Sequence, residues 1–411
     1  MKFDQYHISE DIKINLTGLG FKKPTDIQYK SIPSILKGED VLAIAQTGTG
    51  KTLAFAIPVI DKIHRYKTSK RSTGIKCLVM VPTRELALQI GDVFNRLSRH
   101  TKVKTVVVYG GVEQHAQIQK LQAGIDILIA TPGRMFDLIH QRHIDIRGIH
   151  TLVLDEADRM LEKGFIKDIQ CVKKILAHRH QTLFFSATIN KEIKQLAYSQ
   201  VKSTAIRIQI SPDDPVSKNV SHYVMFVEMD DKRFFLERFI NEHPDSRLIV
   251  FVRTRVRAER VVKAMERSGI KASAIHGEKE QAQRTLVMEG FKKGESNILI
   301  ATDVSARGID IPDVHFVINY DIPDDPENYV HRIGRTGRGF NKGDAISFCS
   351  REEKEKLDAI QKLLNKPIEE ITISKKEYSM TIDSLPDNAS IEDLIREQEE
   401  WEKKKKKKKK S

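Results

Sequence analysis

The chain has 411 residues, of which 69 are lysine or arginine and 56 aspartate or glutamate, a formal net charge of +13 with histidine neutral. That length excludes a single small module and provides for two or three domains, each able to bury a core, while the positive balance favours polyanionic partners. Eight of the charges are the run Lys403 to Lys410, which leaves the body at only about +5.

The first residues, Met1-Lys2-Phe3-Asp4-Gln5, lead into a mixed, charged stretch without the apolar core of a signal peptide, and no window of about 18 residues is uniformly apolar. A soluble, cytoplasmic monomer is expected. Cys77, Cys171 and Cys349 are scattered with no CxxC spacing, which suits a reducing compartment and gives neither a zinc nor a disulfide framework. Cys77 and Cys349 lie in apolar runs and read as small core residues. His64, His115, His178 and His180 lack ligand spacing and read as surface residues.

In chain order, short β-branched runs at 41–45, 77–81, 105–109, 126–130, 151–154 and 181–185 alternate with helical stretches, the pattern of parallel strands covered on both faces. A polar, proline-containing segment follows, and then a second series at 222–227, 248–252, 272–275, 297–301, 315–319 and 345–349. The expected fold is therefore α/β: a first domain over 1–206, a linker over 207–219, a second domain over 220–365, and a polar tail over 366–411 ending in the lysines. In an open parallel sheet, ligands bind outside the carboxyl ends of the strands. There the first series carries Gln46 to Thr52, Pro82 to Leu86, Gly110-Gly111, Thr131 to Arg134, Asp155 to Asp158 and Ser186 to Thr188.

Residues 45–52, Ala45-Gln46-Thr47-Gly48-Thr49-Gly50-Lys51-Thr52, match a phosphate-binding loop with alanine at its first position. Its glycines let backbone N–H groups approach phosphates, Lys51 can reach the β and γ phosphates, and the Thr52 hydroxyl suits Mg²⁺. Asp155 follows Leu152-Val153-Leu154, where a Mg²⁺-organising acid belongs, and Glu156 beside it is the candidate to orient and deprotonate water. In the second half, His331-Arg332-Ile333-Gly334-Arg335-Thr336-Gly337-Arg338 offers arginine to a transferring phosphoryl group, so hydrolysis would depend on domain closure.

With these motifs in this order, and with Gly20-Phe21-Lys22-Lys23-Pro24-Thr25-Asp26-Ile27-Gln28, Gln281-Ala282-Gln283-Arg284 and residues 301–310, the chain over about residues 1–365 resembles the DEAD-box RNA helicases of superfamily 2. Ala274 to Lys279, Val252 to Arg255 and the segment after Cys349 look most like the bacterial RhlE-type branch. Glu162-Lys163 stands where Asp-Met is common, a departure on an expected exposed turn.

The resemblance implies two tandem RecA-like domains that close over ATP, Mg²⁺ and single-stranded RNA, separate a duplex locally, and reopen after hydrolysis. It implies that Gln28, with Phe21 and Thr25, holds adenine, that Phe3 is a candidate stacking aromatic, and that Asp310 touches the ribose. Arg335 and Arg338 would be the arginine fingers, and Ser186, Thr188 and His331 would couple the domains. Pro82, Thr83, Arg84, Gly111, Thr131 and Arg134 in the first domain, with Arg253, Gln281, Arg284 and Thr302 in the second, would line the RNA path. Such hydroxyls, amides and arginines suit phosphate and 2′-OH contacts, so recognition is expected to be largely independent of base sequence. The competing readings are a DNA-directed translocase, against which the adenine motif and the Asp-Glu-Ala-Asp spelling argue, and a non-catalytic RNA clamp. The lysine run is expected to be either a solubilising terminus or an electrostatic tether for RNA.

Overall fold

Strands buried on both faces need alternate side chains to enter two separate cores, and the computed structural model shows that division in each half of the chain. It describes residues 2–45, 48–69, 74–176, 178–210, 219–303, 314–337 and 342–383. In β1 (Val41–Ala45), β2 (Cys77–Met80) and β4 (Ile127–Ala130), Val41, Ala43, Cys77, Val79 and Ile127 join one core, and Leu42, Ile44, Leu78, Met80 and Leu128 the other. The second domain repeats this in β9 (Leu248–Phe251) and β11 (Ile298–Ala301), with Ile249, Phe251 and Leu299 on one face and Leu248, Val250 and Ile300 on the other. Fully burying each such aliphatic side chain contributes about 1.5–3 kcal/mol.

The remaining first-domain strands are β3 (Thr105–Val108), β5 (Thr151–Leu154), β6 (Gln181–Ser186) and β7 (Ile206–Ile210). Those of the second are β8 (Val220–Phe226), β10 (Ala272–Ile275), β12 (Phe316–Asn319), β13 (Gly343–Cys349) and β14 (Glu369–Glu370). The described residues form two seven-stranded sheets, β3-β4-β2-β5-β6-β1-β7 and β10-β11-β9-β12-β13-β8-β14, with every pairing parallel. Subtracting seven from each label of the second order reproduces the first. The chain is thus a tandem repeat of one doubly wound topology, the expected pair of RecA-like domains, with helices on both faces of each sheet.

Two expected boundaries move. The linker expected to begin at 207 instead begins with β7, which pairs in register with β1 from Val41↔Ile206 to Ala45↔Ile210; residues 211–218 lie outside the described residues. The second domain also runs past 365. Glu369–Glu370 pairs with Tyr223 and Val224, and a helix at Lys375–Asp383 sets Tyr378 4.9 Å from Phe235, its hydroxyl donating to Asp231 at 2.8 Å. The run Lys403 to Lys410 lies outside the described residues.

The structure also places two single residues. Phe3, a candidate stacking aromatic, sits in a 3₁₀ turn and packs in the first core with its ring 6.1 Å from Tyr6. His64 is buried rather than on the surface, with Asp11 of α1 (Glu10–Gly18) 3.2 Å from its Nε2. Among the described residues no helix is long and apolar enough to cross a membrane, and all three cysteines are unpaired.

Candidate functional site

The loop after β1 is gripped from α2 (Asp26–Leu36). Thr25 caps that helix while its Oγ1 donates to the Thr49 carbonyl at 2.7 Å, and Gln28 Nε2 donates to the Gly50 carbonyl at 3.0 Å. Gln28 Oε1 accepts from Thr25 N–H at 3.0 Å, so one amide N–H and one lone pair of the side chain remain for a ligand. Gly50 has φ +90°, and a Cβ there would collide with the Gln28 amide; glycine is required both by the left-handed backbone and by the close approach. Phe21 is exposed beside this motif. Lys51 opens α3 (Lys51–Ser69) next to Thr52, and its buried Nζ donates to the Ala45 carbonyl at 2.6 Å. Gln46 and Thr47 lie outside the described residues.

At the end of β5, Asp155 is 3 % exposed and accepts the N–H of Glu156 at 3.0 Å. Burial pushes its carboxyl up to about 7, the Lys51 ammonium pulling against it and Glu156 adding to it. Among the described residues no group of three or more His, Cys, Asp or Glu could hold a metal alone. One carboxylate, Asp155, and one hydroxyl, Thr52, fit a Mg²⁺ that takes most of its ligands from phosphates and water.

Glu156 adopts a left-handed conformation, φ 51° and ψ 50°, which costs a non-glycine residue about 1 kcal/mol or more. It is held by Arg159, whose guanidinium donates to Glu156 Oε2 at 2.9 Å with both side chains buried. Arg159 lies on α7 (Ala157–Glu162), as does Asp158, whose Oδ2 accepts from the N–H groups of Ala187 and Thr188 at 3.0 Å and from Thr188 Oγ1 at 3.3 Å. The fully buried Ser186 Oγ has no hydrogen-bond partner among the described residues. Asp158 therefore ties the turn after Asp155 to the Ser186-Ala187-Thr188 turn.

In the second domain, Arg335 is 5 % exposed in the turn after α13 (Pro326–Ile333), with Nε donating to the His331 carbonyl at 3.3 Å. Arg338 and Asp310 lie outside the described residues. Of the two glycines in the octet, Gly337 carries the conformational demand, with φ +65° against the Asn219 carbonyl. Arg332, which the sequence presents as one more cation of the octet, is instead a structural pin. It is fully buried, bidentate to Asp303 at 2.6 and 2.8 Å, and donates to Asn319 Oδ1 and the Asp321 carbonyl at 3.2 and 2.6 Å. Arg332→Met should destabilise the second domain by about 3–5 kcal/mol, because it leaves acid and amide partners unpaired in a shell the methionine cannot satisfy. An unchanged denaturant midpoint would contradict this.

The expected RNA residues fall into two groups. Pro82 and Thr83 are buried, and Thr83 caps α4 (Arg84–Leu97) by accepting Leu86 N–H at 3.2 Å. Arg84 lies so close over Gly111 that a Cβ there would overlap its guanidinium. Thr131 precedes α6 (Pro132–His140), and Arg134 donates to the Val112 carbonyl at 2.8 Å. Of these, Arg84 and Gly111 face α12 (Gln281–Lys293) across a cleft of about 880 Å³, lined by Arg84, Tyr109 and Gly111 on one wall and Lys279, Thr285 and Leu286 on the other. Arg284 crosses it to Glu85 at 2.7 Å, a partner that sequence reasoning missed.

Arg253 and Thr302 belong to the second domain's own strand ends. Thr302 is buried after β11, and Arg253 is held by Glu353 at 2.9 Å. That carboxylate is in turn paired with Lys232, whose ammonium is completely buried and also donates to the Tyr320 carbonyl at 2.8 Å. Gln281 opens α12.

Two family models match the chain, one described as DEAD/DEAH box helicase over residues 25–196 and one as helicase conserved C-terminal domain over residues 231–340. The ATP-dependent RNA helicase DBP3 of Lodderomyces elongisporus is 41 % identical over 383 residues, covering 90 % of this chain and 70 % of that protein. The DEAD-box ATP-dependent RNA helicase CshA of Bacillus cereus is 38 % identical over 360 residues, covering 88 % of this chain and 67 % of its own. Among solved structures, a single-residue variant of S. cerevisiae Dbp5 bound to RNA and ADP BeF3 superposes with a TM-score of 0.81 at 28 % identity, over 93 % of this chain and 98 % of that one.

Proposed function

The chain belongs to the DEAD-box ATP-dependent RNA helicases, RNA-stimulated ATPases that bind and locally unwind RNA, and from that premise we propose how its residues divide the work. Phe21, Thr25 and Gln28 receive adenine. The loop from Gln46 to Thr52 cradles the phosphates, with Lys51 reaching the β and γ groups. Thr52 and Asp155 would hold Mg²⁺, which when bound neutralises charge on the phosphate oxygens. Glu156 orients and deprotonates the attacking water, Asp310 touches the ribose, and Arg335 and Arg338 arrive from the second domain. Ser186, with Thr188, which is tied to Asp158, and His331 report the state of the nucleotide across the cleft.

RNA runs along Pro82, Thr83, Arg84, Gly111, Thr131, Arg134, Arg253, Gln281, Arg284 and Thr302. It is read through phosphates and 2′-hydroxyls, so sequence preference is weak. Membership of the RhlE-type branch is a finer reading, supported by Ala274 to Lys279 and Val252 to Arg255. A cytoplasmic site of action is proposed on the three unpaired cysteines.

The observation that carries the assignment of residues is the convergence at the first sheet's carboxyl edge, where the buried Lys51 follows β1 and the buried Asp155 ends β5, with β6 and its Ser186 between them in the sheet. An ATPase assay of the full chain with and without single-stranded RNA tests the whole reading, and turnover indifferent to RNA would overturn it. Nucleotide choice tests the adenine site separately. An amide pairs bidentately with adenine N6 and N7 but not with guanine, and a good bidentate pair discriminates by about 1–3 kcal/mol. Gln28→Ala should therefore erode the preference for ATP over GTP about tenfold or more. The ratio is the informative quantity, because Gln28 also holds the Gly50 carbonyl. A wild type that uses both nucleotides equally would remove Gln28 from the site.

A further inference from the structure

The sequence pattern puts Lys163 on an exposed turn, and the residue as a whole is exposed, yet its ammonium is drawn inward between the two halves of the machinery. Lys163 ends α7, its N–H donating to the Arg159 carbonyl at 3.1 Å, while Nζ donates to the Pro82 carbonyl at 3.3 Å. Pro82 begins the turn that presents Thr83 and Arg84 to the cleft. Burial pushes the ammonium below its usual range. The charges acting on it are, in order, Glu85, Arg159, Glu156 and Arg284. On one side this set is the pair that holds the candidate base, Arg159 with Glu156 at 2.9 Å; on the other it is the pair that bridges the domains, Glu85 with Arg284 at 2.7 Å.

We propose that Lys163 is a positioning residue that couples RNA binding to the nucleotide site, by fastening the end of α7 to the RNA-facing turn. The inference rests on the helicase reading above and deepens it. Six residues of helix separate Glu156 from Lys163, and Asp158 on the same helix holds the Ala187 and Thr188 amides. A shift of the Pro82 turn by a bound strand therefore reaches Asp155 and Glu156 through a short, rigid, mostly buried lever. Both sites then act on the same helix, which is what coupling between them requires.

The test measures the affinity of the full chain for a fluorescent single-stranded RNA, with and without Mg²⁺ and AMP-PNP; the ratio is the coupling factor. Lys163→Met keeps the stem and removes the charge, with Lys163→Gln as a second variant should the first not fold. The factor should fall about three- to tenfold, while RNA affinity without nucleotide and nucleotide affinity without RNA each stay close to wild type. Lys163→Arg, which keeps the cation, should retain most of the coupling. A methionine variant as strongly coupled as wild type overturns the inference. So does one that loses RNA affinity equally with and without nucleotide, which would make Lys163 a plain phosphate contact, and so does an arginine variant as uncoupled as the methionine one. A wild type whose RNA affinity ignores nucleotide would overturn the helicase reading and this inference with it; a coupled wild type with an equally coupled variant overturns the inference alone.

Discussion

Glu156→Gln should bind ATP as the wild type does and turn it over about 10²- to 10⁴-fold more slowly at saturating RNA. The substitution is nearly isosteric, and a glutamine Oε1 can still accept from Arg159, so the left-handed turn and its buried ion-pair site are kept in shape. What is lost is the ability to take a proton from water. Asp155 cannot take over that role, because it is 3 % exposed and its own Oδ1 already accepts the Glu156 N–H. Asp158 is committed to Ala187 and Thr188. Single-turnover hydrolysis beside an equilibrium nucleotide-binding measurement separates the two effects, and near-wild-type hydrolysis in the variant would remove Glu156 from the chemistry. Because the block falls after closure, the variant should also hold RNA longer in the presence of ATP, which an RNA dissociation trace would show.

The nucleotide side of this site was legible in the sequence because its chemistry is local. A glycine loop between a buried strand and a helix, or an acid pair ending a run of Leu152-Val153-Leu154, is written in consecutive residues. The sheets were legible for a related reason: a strand buried on both faces cannot alternate, so β2 and β4 read as continuous apolar runs. The edge strand β7 escaped by the same rule. Arg207 and Gln209 are tolerated there because one side of an edge strand meets solvent, and the segment therefore reads as a linker.

The segment after 365 was hidden differently. Ile368, Ile371, Ile373 and Tyr378 are its few apolar anchors, scattered among charges, and their value lies in what they dock against, the cores around Phe235 and Leu357. Charged residues were the least legible of all. Arg159, Arg332, Lys232 and Glu85 give no sign of burial in the sequence, and each is buried or half-buried only because a partner distant in sequence or across a helical turn neutralises it. A charge buried without such a partner would be expensive, so its location is a property of the assembled fold rather than of any window of sequence.

Arg335→Ala should lower RNA-stimulated turnover about 10³- to 10⁵-fold, the range for losing an arginine finger. The physical ground is that a transferring phosphoryl group spreads negative charge over its oxygens, and a planar guanidinium meets two of them at once, which neither Lys51 nor any backbone amide does from the opposite side. Arg335 is well placed to be rigid: it is 5 % exposed, its Nε is fixed on the His331 carbonyl, and the helix before it is pinned by Arg332 to Asp303. Its chain position in the second domain makes hydrolysis conditional on closure, so ATP affinity in the absence of RNA should change little while kcat collapses. Arg335→Lys provides the discriminating comparison, since it retains one positive charge and loses the fork. Turnover between those of the alanine variant and the wild type is expected. A structural role predicts another pattern, with both variants lowering the unfolding midpoint of the second domain and weakening RNA binding in the absence of ATP. If Arg335→Ala turned over ATP at the wild-type rate, the charge stabilisation would have to come from elsewhere, and the octet from His331 to Arg338 would be a packing motif.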